Sequence, residues 1–138
     1  MQILVGSEQD LEHAASKIIE FAGNEHIWLF FGEMGAGKTT LIKAIAAAYG
    51  VEDRVHSPSF NLVNEYRNHK DDVFYHFDFY RIKSESEALD IGLDEYLDSG
   101  KICWVEWPQK IPGLIPPAYL KIELNIVSDT GRLIKLNH

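Results

Sequence analysis

The stretch of this 138-residue sequence with the clearest chemical meaning is a glycine-rich run that ends in lysine and threonine. Residues 32–39 read G-E-M-G-A-G-K-T and match the pattern G-x-x-x-x-G-K-[ST] at every fixed position. Glycines let backbone N–H groups turn inward around a phosphate. Lys38 would then bridge the β- and γ-phosphates of a nucleotide, and the Thr39 hydroxyl would be a ligand of Mg²⁺. The run therefore predicts a phosphate-binding loop.

The residues on either side strengthen this interpretation. An apolar run over Ile27–Phe31 precedes the loop, and a helical pattern follows it from Lys38, as the motif requires. A glycine-rich turn that contains a lysine by chance would explain neither the apolar run before it nor the helical pattern after it. The glycine spacing also does not fit the dinucleotide-binding pattern G-x-G-x-x-G. The residues expected to contact the nucleotide are Glu33, Met34, Gly35, Ala36, Gly37, Lys38, Thr39 and Thr40.

Two acidic residues stand at the ends of apolar runs that are typical of strands. Asp78 follows residues 73–77, and Glu106 follows residues 102–105. A nucleoside triphosphatase needs a carboxylate at the end of a neighbouring strand, to hold Mg²⁺ directly or through water. Either acid could also be an edge charge or a capping residue, but beside an intact phosphate loop the functional interpretation is favoured. Glu106 could bind Mg²⁺ or orient the attacking water, and the sequence does not separate these roles.

The segment Ser57-Pro58-Ser59-Phe60 lies between the predicted loop helix and the next strand. Segments in this position often sense the γ-phosphate through a hydroxyl or a backbone N–H, although the pattern fits a plain turn equally well. His76 precedes Asp78 on the same strand and is interpreted as a packed histidine, with orientation of Asp78 as the alternative. Cys103 lies in an apolar run, so we assign it no nucleophilic role.

Helical and alternating patterns place these residues on an α/β scaffold with a central sheet that is part parallel and part antiparallel. The predicted elements are a helix from Ser7 to Gly23, a strand over Ile27–Phe31, a helix from Lys38 to Tyr49, a hairpin with strands at 60–66 and 73–79, a helix that opens at Ser84, a strand over Ile102–Val105, a proline-rich loop over 108–117, and strands at 120–126 and 133–136.

Length and composition set broader limits. Residues 1–138 fit one domain, and the net charge of −8 argues against a protein that binds nucleic acid by charge alone. A single cysteine excludes an intrachain disulfide and a cysteine-rich metal site. The longest apolar runs are too short to span a membrane, and the N-terminus does not resemble a signal peptide. We therefore expect a cytoplasmic protein without a membrane partner.

Five blocks in this order resemble one family, the small bacterial ATPase of tRNA threonylcarbamoyladenosine biosynthesis, TsaE. The blocks are GEMGAGKTT (32–40), SPSFNLVNEY (57–66), HFDFYR (76–81), ALDIGLDEYL (88–97) and ICWVEWP (102–108). The resemblance implies a P-loop NTPase-like three-layer sandwich and hydrolysis of ATP with Mg²⁺, weak without partners. It also implies that TsaD and TsaB are the protein partners, in a pathway that modifies adenosine 37 of tRNAs reading codons that begin with A, with ATP supporting turnover of the complex.

The resemblance also assigns roles to single residues. Lys38 and Thr39 would hold phosphate and Mg²⁺, Asp78 and Glu106 would be the acidic pair, and Trp107 would be a functionally sensitive aromatic residue beside them. Lys38, Asp78, Glu106 and Trp107 are thus the expected catalytic residues, and Thr39, Asp78 and Glu106 the expected metal ligands. Ser57 and Ser59 belong to the switch segment, where the family often has threonine in place of Ser59. The family tolerates an acid at Glu33, whose side chain is expected to face away from the phosphates.

Three other functions share parts of this pattern. A switch GTPase would need an N-K-x-D guanine reader, and the sequence has none. A small-molecule kinase would need a lid with several arginines and a second pocket, for which 138 residues leave little room. A nucleotide-gated adaptor that does not hydrolyse ATP shares every motif and stays open as the alternative. The acidic charge indicates that any contact with tRNA is made through partner proteins.

Overall fold

A computed structural model describes residues 1–58 and 60–138, and in these residues seven strands form one mixed sheet. The strands are β1 (Gln2–Val5), β2 (Ile27–Phe31), β3 (Val63–Arg67), β4 (Val73–Asp78), β5 (Ile102–Glu106), β6 (Leu120–Ile126) and β7 (Arg132–Asn137). The α-helices are α1 (Leu11–Ala22), α2 (Lys38–Ala48), α3 (Glu85–Asp90) and α4 (Leu93–Leu97). Short 3₁₀ turns cover Glu8–Asp10, Pro108–Lys110 and Pro112–Leu114.

The strand order is β1-β7-β6-β2-β5-β4-β3. The four central strands β6, β2, β5 and β4 run parallel, whereas β3 and β7 pair antiparallel with their neighbours. The mixed sheet predicted from the sequence is confirmed. Because parallel strands end at the same edge, the residues after β2, β4 and β5 lie together, where ligands bind in open α/β sheets.

Side chains of the central strands alternate between two cores, one on each face of the sheet. In β2, Trp28 and Phe30 enter the core that α1 and α2 cover, whereas Ile27 and Leu29 enter the core beneath α3 and α4. This burial on both faces explains why β2 is apolar at every position. Helices, sheet and helices form three layers, as the resemblance implies.

Three differences from the predictions are larger than a shift of one residue at the end of an element. Strand β3 begins at Val63 and not at Phe60, because Leu62 has a left-handed backbone (φ 65°) and Phe60 is 92% exposed. The helix predicted from Ser7 begins with a 3₁₀ turn and becomes α-helical only at Leu11. The helical stretch after Ser84 is divided by Gly92 into α3 and α4.

Strand β1 was not predicted, because four residues are too few for a periodic signal. It forms through long-range antiparallel pairing with β7, in which Ile3 lies opposite Ile134. Ile3 and Val5 are buried, whereas Leu4 points to solvent and is 70% exposed. Within residues 1–58 and 60–138, no helix combines the length and apolar character needed to cross a membrane.

Candidate active site

The predicted phosphate loop connects the end of β2 to the first turn of α2. Gly35 and Gly37 have backbone φ angles of 84° and 98°, which favour glycine because a Cβ atom would be strained there. Gly32 has a different requirement, since a Cβ atom at this position would lie 3.1 Å from the carbonyl oxygen of Leu124 in β6. The loop therefore needs glycine twice for its backbone conformation and once for close packing.

Lys38, the first residue of α2, folds back over this loop and is buried. Its ammonium group donates hydrogen bonds to the carbonyl oxygens of Gly32 and Glu33, the second at 3.4 Å. The Nζ atom also lies 3.9 Å from the ring centroid of Trp107. Burial lowers the pKa of Lys38, while the charges of Glu106 and Asp78 oppose this shift. The lysine is thus held beside the loop by groups that a phosphate could replace.

Thr39 and Glu106 meet directly, although 67 residues separate them in the sequence. The Thr39 hydroxyl lies 3.0 Å from both carboxylate oxygens of Glu106 and shares its single O–H proton between them. Glu106 ends β5 and is only 3% exposed. A buried carboxylate is stable only when it is paired or hydrogen-bonded, and these contacts supply part of that requirement. The structure thus brings Glu106 against Thr39 of the predicted phosphate loop, and its catalytic role stays a prediction.

Asp78 lies beside Glu106, because these two residues are partners in the parallel pairing of β4 and β5. One oxygen of Asp78 accepts a hydrogen bond of 2.6 Å from the Ser57 hydroxyl, and the other accepts one of 3.0 Å from the backbone N–H of Tyr80. The predicted switch segment is therefore attached to the acidic edge through Ser57. The other switch residue predicted to contact nucleotide, Ser59, lies outside the described residues.

His76 contacts Glu106, not Asp78. Its Nε2 atom lies 2.6 Å from a carboxylate oxygen of Glu106, and its Nδ1 atom lies 3.0 Å from the hydroxyl of Tyr66. His76 is fully buried. The alternative, in which His76 orients Asp78, does not describe this contact. Glu106 is the diagonal neighbour of His76 on β5 and is the closer partner. Strand alternation places His76 and Asp78 on one face, but only strand register identifies this contact.

Trp107 follows Glu106 and has a left-handed backbone conformation, with φ 59°. Its ring contacts that of Tyr80, with centroids 4.9 Å apart, in addition to covering Lys38. A bulky residue in this backbone region is strained by about 1–3 kcal/mol and persists only where its surroundings hold it. The structure brings Trp107 into contact with Lys38, and its functional role stays a prediction.

The opposite side of the phosphate loop borders an open cavity of about 460 Å³. Its walls come from the loop, α1, β1 and the β6–β7 turn, and they include Leu11, Thr40 and Arg132. Arg132 donates from Nε to the carbonyl oxygen of Ala36 at 2.9 Å and from a terminal nitrogen to that of Gly131, also at 2.9 Å. These contacts of Arg132 were not predicted from the sequence, because they depend on how the start of β7 packs beside the loop.

The remaining predicted contacts lie along the rim of the loop. Glu33, Met34, Gly35 and Thr40 are exposed, and Met34 is 61% exposed. Ala36 is buried beneath the loop and hydrogen-bonds back to the carbonyl oxygen of Glu33 at 3.0 Å. Gly35, Ala36, Gly37 and Thr40 also line the cavity. The rim therefore joins the buried Lys38 side of the loop to the open cavity.

Comparison with known proteins identifies the family. The model of the family described as "Threonylcarbamoyl adenosine biosynthesis protein TsaE" matches residues 5–134. The chain belongs to the TsaE family. It is 41% identical to the Bacillus subtilis tRNA threonylcarbamoyladenosine biosynthesis protein TsaE over 105 residues, or 75% of this chain and 63% of that protein. It is 36% identical to the Haemophilus influenzae protein of the same name over 102 residues, or 74% of this chain and 64% of that protein.

Other members of the TsaE family align over almost the whole chain. The Rickettsia bellii TsaE protein is 30% identical over 138 residues, which is 99% of this chain and 94% of that protein. A crystal structure of Bacillus subtilis YdiB superposes with a TM-score of 0.78 at 29% identity, covering 97% of this chain and 82% of that one. In the Bacillus and Haemophilus alignments the chain spans less than two thirds of each relative. The α/β fold agrees with the YdiB structure.

Proposed function

We propose that this chain is a Mg²⁺-dependent ATPase that acts in the biosynthesis of threonylcarbamoyladenosine in tRNA. The observation that carries the proposal is the meeting of Lys38, Thr39 and Glu106 at the end of the phosphate loop, with Thr39 3.0 Å from both oxygens of Glu106. Membership of the TsaE family and the names of the relatives support the pathway.

The donor set at this edge suits a magnesium ion. Mg²⁺ is usually held by one or two carboxylates, a hydroxyl and the phosphates of the substrate, with water completing the shell. Thr39, Glu106 and Asp78 offer a hydroxyl and two carboxylates, and the register of β4 and β5 places the two acids side by side. When bound, the ion would neutralise charge that develops on the β- and γ-phosphates.

The chain's own residues would then act in a simple order. The phosphates take the place of the carbonyl groups that Lys38 contacts, and its ammonium binds them while Trp107 shields that charge from water. Glu106, buried at the end of β5, accepts hydrogen bonds and can orient a water molecule towards the γ-phosphate. We place the nucleoside in the cavity, because loop residues and Thr40 form its wall.

TsaD and TsaB are the partner proteins we propose, on the basis of the family resemblance. The net charge of −8 disfavours direct, charge-driven binding of tRNA, so we propose that partners make that contact. Binding of tRNA to the isolated chain at low salt tests this point. Tight binding that weakens steeply with added salt would contradict it.

A nucleotide-gated adaptor is the second candidate function, and one observation favours it. Both oxygens of Glu106 are engaged by Thr39, and one of them also by His76 at 2.6 Å. A carboxylate with these partners has little freedom to orient water until the site rearranges. Turnover that partners fail to accelerate would favour the adaptor over the ATPase.

The deciding experiment measures turnover of ATP and of GTP, with and without TsaB, TsaD and tRNA. We expect ATP turnover that the partners stimulate, and a loss of about 100- to 1,000-fold in Lys38→Ala, because one preorganised charged donor is removed from the transition state. Lys43→Ala is the matched control, since Lys43 lies exposed on the same helix. Equal use of GTP, or full activity of Lys38→Ala, would contradict the proposal.

A further inference from the structure

Two aromatic rings and the ammonium group of Lys38 form a cluster at the carboxyl edge of the sheet. The ring centroids of Tyr80 and Trp107 lie 4.9 Å apart with the ring planes inclined at 46°, and the Nζ atom of Lys38 lies 3.9 Å from the centroid of Trp107. Exposure decreases through this aromatic cluster, from 44% at Tyr80, through the half-buried Trp107, to 6% at Lys38. Tyr80 is therefore its most exposed member, and the function proposed above gives this residue no role.

The backbone that carries Tyr80 is tied to both acids at this edge. The N–H of Tyr80 donates to a carboxylate oxygen of Asp78 at 3.0 Å, and the N–H of Phe79 donates to the carbonyl oxygen of Glu106 at 3.2 Å. Asp78 and Glu106 are also partners in the parallel pairing of β4 and β5, so the residues that follow them start from neighbouring positions. The register that aligns the two acids thus also brings the ring of Tyr80 to the indole of Trp107.

The indole of Trp107 depends on its neighbours for its position, because its backbone is held in the left-handed region with φ 59°. The carbonyl oxygen of Trp107 accepts a hydrogen bond of 3.1 Å from the N–H of Lys110, which fixes the backbone but not the side chain. The indole packs against the core beneath α3 and α4. Outside that core, the ring of Tyr80 and the ammonium of Lys38 contact it. The ring of Tyr80 is therefore part of what holds the indole in place.

The position of this indole matters for the direction in which Lys38 points. A lysine ammonium ends a flexible four-carbon side chain, so its neighbours must hold it in one place. These neighbours are the carbonyl groups of Gly32 and Glu33 and the ring of Trp107, which attracts the cation through its face. Under the proposed function a phosphate takes the place of the carbonyl groups. The ring of Trp107 is then the contact that Lys38 keeps with and without nucleotide.

We infer that Tyr80 is a positioning residue that acts on Lys38 through Trp107. The ring of Tyr80 keeps the indole over the ammonium, and the indole keeps the ammonium directed at the β- and γ-phosphates. Tyr80 itself contacts neither the nucleotide nor the metal ion in this arrangement. The inference rests on the proposed ATPase function, because it assigns Tyr80 to that reaction.

The first test compares ATP turnover by Tyr80→Ala, Tyr80→Phe and Leu89→Ala, with and without TsaB, TsaD and tRNA. Loss of the ring in Tyr80→Ala should lower kcat by about 3- to 10-fold, the factor that corresponds to one aromatic pair, in both conditions. Tyr80→Phe should restore the wild-type kcat, because the contact is made between rings. Leu89→Ala is the matched control, since Leu89 is also 44% exposed and lies on α3, and it should keep the wild-type kcat.

A second test follows the indole itself and separates positioning from general packing. The sequence contains three tryptophans, of which Trp28 and Trp104 are fully buried, so quenching of fluorescence by acrylamide reports mainly on Trp107. Quenching should increase in Tyr80→Ala and stay at the wild-type level in Tyr80→Phe. In a Trp107→Leu background, Tyr80→Ala should cause no further loss of kcat, because the residue through which it acts is absent.

The outcomes distinguish the inference from the proposed function. If the wild type hydrolyses ATP and Tyr80→Ala behaves like Leu89→Ala, or Tyr80→Phe is as harmful as Tyr80→Ala, the inference is wrong while the proposed function stands. The same holds if quenching is unchanged in Tyr80→Ala, or if its loss of kcat persists in the Trp107→Leu background. A loss confined to reactions with TsaB and TsaD would assign Tyr80 to a contact with those partners and overturn the inference. If the wild type hydrolyses no ATP even with partners, the proposed function fails, and the positioning role fails with it.

Discussion

The two flanks of the phosphate loop are built from different kinds of contact. On the acidic flank, formed by Ser57, His76, Asp78 and Glu106, side chains bond to side chains at 2.6–3.0 Å, and His76 and Glu106 are buried. On the cavity flank, Arg132 donates to backbone carbonyl groups, and the space beside it is open. The acidic flank therefore depends on the types of its side chains, whereas the cavity flank depends mainly on the conformation of the backbone.

This difference predicts how the two flanks divide the work. Fixed charges aimed at one point act on charge that develops during reaction, and their loss lowers kcat. A wall that shapes the loop acts on bound nucleotide in the ground state and the transition state alike, and its loss raises KM. Variants on the two flanks should therefore separate into two kinetic classes.

The largest effect should come from Glu106→Gln on the acidic flank. The amide keeps the shape and can still accept from Thr39 and His76, but it cannot act as a base or bind a cation strongly. We expect kcat for ATP to fall by at least about 100-fold, with KM little changed. Steady-state kinetics with the partners present checks this, with Glu95→Gln on the exposed side of α4 as control. A change in KM with kcat unchanged would contradict the proposed difference between the flanks.

An intermediate effect should come from Arg132→Ala on the cavity flank. Without its hydrogen bond to the Ala36 carbonyl, the loop loses a support from the first residue of β7. We expect affinity for MgADP to fall about tenfold, or about 1.4 kcal/mol, at the lower end for a charge-assisted hydrogen bond, with kcat retained. Calorimetry against Arg67→Ala, whose guanidinium pairs with Glu65 on β3, provides the comparison. A lower kcat with unchanged affinity for MgADP would contradict the proposed division of roles between the two flanks.

The smallest expected effect is a pH dependence of the free energy of unfolding that is caused by Lys38. Burial lowers the pKa of Lys38 below 10.5, so between its folded pKa and 10.5 the unfolded chain binds more protons, and stability rises with pH in that window. Below the folded pKa the full penalty for the buried charge is present. Lys38→Met removes this penalty, so its stability gain over wild type should be larger at pH 7 than at pH 10. Urea unfolding at both pH values measures the difference, and a gain that grows with pH would contradict the assigned cause.

The same contrast explains what the sequence could predict. The phosphate loop, β2, α2 and the acids at the ends of β4 and β5 were predicted, because each depends on local spacing and periodicity. The contact of His76 with Glu106 was not, because it depends on the register of β4 against β5. Arg132 was missed because its partner, Ala36, is 96 residues away, and their meeting requires β6 and β7 to pack beside the loop.

The contacts of Lys38 have a further consequence for the proposed binding of nucleotide. Its ammonium already has carbonyl partners and an aromatic ring as neighbours, so an arriving phosphate exchanges contacts instead of filling unmet ones. Much of the heat released by the new ion pair is then absorbed in breaking the old contacts, and calorimetry should show nucleotide binding with a modest enthalpy. Under the proposed function, the carbonyl groups of Gly32 and Glu33 therefore compete with a bound phosphate for the ammonium, which favours release of product.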